Sequence, residues 1–245
     1  MNLLTTVCRA GEGNTWDVYW RNGVQNQGLI SVSVTACVDD PEIVAELSVL
    51  QWILEHRSVF GVTQAGKGMC LTVSSGTIKK LAKAAEKAGG LKESSLGKRH
   101  LFPYARFLGT RFVGAEIQVS KDDSWIRPRA QNDIETLVIS EPLPETLDIK
   151  GVGLVELSAH AMEQFAKRQA GADREDTWRF LRKAASSGLR LANLDKERLE
   201  SQAKRHGEVG QTWVHDETRW AFVIVPGQPL PVVVTAFAIR KSVAG

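Results

Sequence analysis

Short runs of alternating character fill the first 37 residues. Leu3 to Arg9 and Trp16 to Trp20 are β-type runs. Arg21-Asn-Gly-Val and Asn-Gln-Gly28 supply turn chemistry before Leu29-Ile-Ser-Val-Ser-Val-Thr-Ala-Cys37, so three strands are predicted first. The period then changes. Asp39-Asp-Pro-Glu-Ile opens a helix with an acidic first turn and a proline near its start, and Ile43, Leu47, Leu50 and Leu54 keep helical spacing. Met69 to Ser74 reads as a short buried strand, Gly76 to Gly90 as a basic helix closed by a glycine pair, and Gly114 to Ser120 as a further strand. Asp133 to Ile149 combines scattered aliphatics with two prolines, which predicts a short strand followed by an extended linker.

From Gly153 the predicted order is helix, helix, helix, strand, strand, strand. Leu157 to Gln169 starts with Ser158 as N-cap, Arg174 to Ser187 is stopped by Gly188, and Asp195 to Arg205 makes a third helix. Gln211 to His215, Thr218 to Val225 and Pro231 to Arg240 alternate around turns at Asp216-Glu217 and Pro226 to Pro229, which predicts an antiparallel meander with helices over one face. The expectation is an α+β protein of two domains, residues 1–150 and 151–245.

Composition narrows the class. With 245 residues, 43% hydrophobic and 24% charged positions, 21 Gly and 8 Pro, the chain reads as globular rather than disordered or collagenous. Its longest apolar runs fall well short of the roughly 20 residues of a membrane-spanning helix, so no membrane partner is expected. The start lacks the basic region and apolar core of a secretory signal. The three cysteines are widely spaced, which argues against a disulfide framework and for a reducing cytoplasm. The five histidines and three cysteines lack metal-ligand spacing, so no zinc is expected. No Walker loop, dinucleotide fingerprint or Gly-x-Ser-x-Gly elbow occurs, and no cofactor is expected. The net charge of +3 hides local clustering. Lys79 to Arg111 carries nine Lys/Arg and two Glu, whereas Asn132 to Ile149 carries five acids and no base.

Strand, strand, strand, helix, strand, helix, strand over residues 1 to about 125 resembles the ribonuclease H-like fold, a mixed sheet with helices. In active members, carboxylates on the first strand, the first helix and the next strand hold two Mg²⁺ ions. Glu46, in Val44-Ala-Glu-Leu-Ser-Val-Leu, matches the helix glutamate. Arg9-Ala-Gly stands where the family has Asp-Gly-Ser, and Val73-Ser-Ser where it has an aspartate-serine pair. The resemblance therefore implies a catalytically inactive copy with no metal. Asp122-Asp123 reads either as a late metal pair or as a turn. Binding remains expected, because Lys79, Lys83 and Lys87 recur at i, i+4 and i+8 beside Lys80. Lys98, Arg99, His100, Arg106 and Arg111 follow, interleaved with Phe102, Tyr104 and Phe107, a mixture suited to phosphates and unpaired bases.

In the second half, Ser158-Ala-His-Ala-Met-Glu-Gln-Phe-Ala-Lys-Arg168, Arg219-Trp-Ala-Phe-Val-Ile-Val and Val232-Val-Val-Thr-Ala-Phe resemble the RelE/BrnT-type ribonuclease toxins and related small phage proteins. That resemblance implies RNA cleavage without metal. It assigns His160 to proton transfer, Arg168 and Arg219 to the phosphate, and Thr235 to a phosphate oxygen. His206 and His215 are rival acid/base groups, while His56 and His100 have no companions. The reading is a nucleic-acid-directed factor of phage or mobile-element type, with RNA favoured over DNA. The rival is a non-enzymatic scaffold that inhibits or recruits a host protein, with a homodimer compatible with either.

Overall fold

The structure is a computed structural model that describes residues 2–57, 59–61, 65–86, 97–127, 134–168, 174–193, 200–201, 204, 210–217 and 220–239. The chain is a mixed α+β protein and divides into two units, Met1–Leu143 and Pro144–Gly245.

In the first unit, strands β1 (Leu3–Ala10), β2 (Thr15–Arg21) and β3 (Gln27–Val34) form an antiparallel meander. Helix α1 (Pro41–His56) follows, with Pro41 at its first position and Glu42 in its first turn, where a missing N–H and a negative charge are both tolerated. Strand β4 (Cys70–Val73) then pairs parallel to β1. Ser75 opens helix α2 (Gly76–Glu86) by accepting the Thr77 amide at 3.2 Å. Helix α3 (Phe102–Arg111) precedes strand β5 (Glu116–Val119), which is parallel to β4, and strand β6 (Ile134–Ile139) pairs parallel to β3. The sheet order is β5-β4-β1-β2-β3-β6.

Strand alternation sorts this sheet's faces. Leu4, Val18, Trp20, Ile30, Val32, Leu71 and Val73 point to one side and share a core with the three helices. Helix α1 is buried nearly all round, since Ile43, Leu47, Leu50 and Leu54 have Val44, Ala45, Val49 and Ile53 buried beside them. It therefore runs between the sheet and its neighbours α2 and α3 rather than along a solvent face. The other sheet face carries Thr5, Val7, Arg9, Asp17, Tyr19 and Arg21.

In the second unit, strands β7 (Thr146–Ile149) and β8 (Gly153–Leu157) form a hairpin whose turn places Gly151 and Gly153 at positive φ. Helices α4 (Ala159–Arg168) and α5 (Arg174–Ser187) follow, then β9 (Arg190–Leu191), β10 (Gln211–His215), β11 (Trp220–Val225) and β12 (Val232–Ala238). The sheet order is β7-β8-β12-β11-β10-β9, with β8 parallel to β12. Phe165 lies 4.4 Å from the Trp220 ring and 6.3 Å from that of Phe222, between centroids, at the centre of this core.

Two expectations need correction here. Residues 146–149 are a strand rather than linker, so the division falls at Leu143/Pro144 instead of near 150. The segment after Gly153 is likewise a strand before it is a helix. Both are only four or five residues long; β7 pairs with β8, and β8 pairs also with β12, far along the chain. The third expected helix, Asp195 to Arg205, lies mostly outside the described residues.

Candidate functional site

Glu46 projects from α1 toward the sheet and is buried. Its Oε1 accepts the Thr6 hydroxyl at 2.7 Å and the Ser74 amide at 2.8 Å, and its Oε2 accepts the Ser74 hydroxyl. Thr6 lies on β1 and Ser74 immediately after β4, so two parallel neighbouring strands and one helix meet at this carboxyl. Burial pushes the Glu46 pKa up despite the three donors, which favour the charged form and oppose the shift. Cys8, two residues beyond Thr6 on the same sheet face, has its thiol pushed up by burial and by the charges of Glu46, Glu42 and Asp17, so it is a neutral thiol rather than a nucleophilic thiolate.

The β1 residue that meets Glu46 is thus Thr6 and not Arg9. The two are three apart in a strand, so they point to opposite faces. Arg9 instead pairs with Asp123 and stands 5.8 Å from the Tyr19 ring centroid. Asp122 and Asp123 form a turn: the Asp122 carboxylate accepts the Ser124 amide at 3.1 Å and the Ser120 hydroxyl accepts the Asp122 amide at 3.1 Å. A two-Mg²⁺ site requires several carboxylate oxygens converging on open space. Here hydroxyls flank a single glutamate whose oxygens are already engaged, so the donor set does not fit the metal pair. Among the described residues, no group of three or more His, Cys, Asp or Glu is arranged to hold a metal ion.

The basic segment resolves into two parts. On α2, Ile78, Leu81, Ala82 and Ala85 are buried, while Lys80 and Lys83 are exposed and Lys79 is half-buried on the outer side. Lys87 lies outside the described residues. Arg99 is exposed in the turn before α3 and Arg106 is half-buried on α3. Tyr104 and Phe107, expected among the bases, are 1% exposed, and Arg111 is fully buried beside Glu55 with N–O 3.3 Å. Positions 104, 107, 108 and 111 share one face of α3, and that face packs into the core, so these aromatics cannot stack on a nucleic acid. Tyr104 also shares a 2.9 Å hydrogen bond with Ser48 of α1. Lys98 and His100 both face Asp40 at the start of α1, His100 at 3.4 Å.

In the second unit, Ser158 caps α4 as expected, its hydroxyl accepting the Ala161 amide at 3.1 Å. His160 is exposed in the first turn of α4. Thr235 sits on β12 opposite Val223, on the sheet face away from Phe222, Ala236 and the helices. These two side chains lie on different sides of the sheet. The Arg168 side chain, Arg219 and His206 lie outside the described residues. His215 is buried at the end of β10, and His56 stacks on Trp52 with centroids 3.7 Å apart.

Thr6 is the residue of this cluster that a sequence reading misses. Its signal was present in the alternation Leu4, Thr6, Cys8, which puts it on the core side of β1 while Arg9 falls on the other. Comparison of the chain with protein-family models, curated proteins and solved structures finds no match. The three cysteines are free, and no helix among the described residues is long and apolar enough to cross a membrane.

Proposed function

We propose that residues 1–143 form a ribonuclease H-like domain whose cleavage site has closed, and that the protein binds nucleic acid, RNA in preference to DNA, without cutting it. The observation that carries this is the Thr6–Glu46–Ser74 cluster. Glu46, matched to the helix glutamate of that fold, is the one carboxyl in this cluster, and its partners Thr6 and Ser74 bring neutral hydroxyls rather than the further carboxylates a metal pair requires. The order β5-β4-β1-β2-β3, with α1 between β3 and β4, supports the fold assignment. Lys79, Lys80 and Lys83 supply the phosphate-binding charge on the outer side of α2. His160 and Thr235 on separate sides of their sheet favour a binding role for the second unit over the acid/base cleavage of the RelE/BrnT-type toxins.

Incubation of the full chain with single-stranded RNA and with an RNA–DNA hybrid, in Mg²⁺ or Mn²⁺ and separately in EDTA, tests this. Intact nucleic acid that is retained by the protein is the expected result. Metal-dependent cutting that disappears in Glu46→Ala, or cutting in EDTA that disappears in His160→Ala, contradicts it. Failure to retain any nucleic acid moves the reading to a scaffold for a host protein.

A further inference from the structure

The sheet of the first unit has β5 at one edge and β6 at the other. The chain between them begins on the face opposite the helices, where Asp123 meets Arg9 on β1 and Trp125 meets Arg21 on β2. Residues 120–127 and the strands beneath them enclose a concave site of ≈ 330 Å³, lined by Leu3, Thr5, Arg21, Gln27, Trp125 and Arg127 among others. That volume is at the small end of ligand sites, which run from about 300 to 1,000 Å³.

Three features give the site a chemistry. Its lining contains two guanidinium groups and no carboxylate. Arg21 lies 4.6 Å from the Trp125 ring centroid, so the indole orients the guanidinium. Arg127 is exposed and makes no ion pair or hydrogen bond among the described residues. Of the nearby acids, Asp123 pairs with Arg9, whereas Asp122 is held below the usual carboxylate range by hydrogen bonds from Ser124 and to a lesser degree by the Arg21 charge, so a phosphate on Arg21 competes with it. The walls also carry flat or apolar surface from Trp125, Leu3 and Val24, the last of which is 79% exposed. The loop is pre-organised, because the Trp125 indole N–H donates to the Asp122 carbonyl at 2.9 Å.

We propose that this site binds a nucleoside 5′-monophosphate unit, with the phosphate on Arg21 and Arg127 and the base against Trp125. Two guanidiniums suit a terminal phosphate, which carries more charge than the diester inside a strand. The unit is either a free mononucleotide or the 5′ end of a strand. The site lies across the sheet from α2, so it is separate from the lysines invoked above and stands or falls without them.

Titration calorimetry on the full chain decides it, with adenosine 5′-monophosphate, adenosine, inorganic phosphate and matched short oligoribonucleotides bearing a 5′-phosphate or a 5′-hydroxyl. The monophosphate is expected to bind at least about tenfold more tightly than adenosine or phosphate alone, and Arg127→Ala and Trp125→Ala each to weaken it by about tenfold. Arg127 is exposed, so its variant keeps the fold even if Trp125→Ala does not. A 5′-phosphorylated oligonucleotide that binds as well as the monophosphate identifies a strand end as the ligand, and preference for the monophosphate identifies the free nucleotide. No binding of the monophosphate, equal binding of inorganic phosphate, or an unchanged affinity in Arg127→Ala overturns the proposal. RNA retention that persists in Arg127→Ala leaves the nucleic-acid reading standing whichever way this result falls.

Discussion

At the scale of single residues, Glu46 sits where burial opposes its charge and three donors favour it, and burial dominates. A carboxyl raised above its unfolded-chain value of about 4.3 stabilises the fold in its protonated form. That contribution is complete below the unfolded-chain pKa and is lost as pH rises through the higher folded-state pKa. Glu46→Gln keeps the shape and can still accept from Thr6 and the Ser74 amide, but it cannot ionise. The urea midpoint of the parent, followed upward from about pH 4, is therefore expected to fall relative to that of Glu46→Gln as pH rises. A difference between the two that stays constant with pH, or that grows in the parent's favour, would show that the carboxylate is stabilised here after all.

At the scale of elements, α2 and α3 approach closely enough that residue size is decisive. A Cβ placed on Gly109 would come within 2.7 Å of the Ala85 Cβ, well inside contact distance. Gly109→Ala would ordinarily stabilise a helix by about 0.5–1 kcal/mol. Here overpacking, at about 1–3 kcal/mol, exceeds that gain, so the substitution is expected to lower stability in chemical denaturation, and a rise would refute the contact. The same packing explains what could and could not be read from the chain. The helical period of α1, its Pro41 start, the three-strand opening and the Ser158 cap are local signals, and all are visible in the residues. The depth of burial of Tyr104, Phe107 and Arg111 is not, because it depends on α3 lying against α1. The strands β7 and β8 were hidden for a related reason, since four or five residues carry little periodicity and the second partner of β8, β12, lies far along the chain. At the candidate site Glu46 was legible, whereas Thr6 as its partner needed strict alternation to be followed three residues back from Arg9.

At the scale of the molecule, two units each build their own core, and the first carries the two features on which the proposed nucleic-acid binding rests. One is a carboxyl site that lacks the oxygens for a metal pair. The other is the cationic outer side of α2. Neither unit has a large excess of positive charge, so binding has to arise from local clustering, and such binding is salt-dependent because each neutralised phosphate releases counterions. The most direct measurement is the affinity for single-stranded RNA across a series of salt concentrations, for the parent and for a variant with Lys79, Lys80 and Lys83 all changed to Glu. These side chains are exposed or half-buried, so the variant retains the fold. With about 0.7 counterions released per contacted phosphate, loss of three contacts is expected to weaken binding and reduce the slope of log affinity against log salt by about 2. Equal affinity and equal slope in the two proteins would contradict the account.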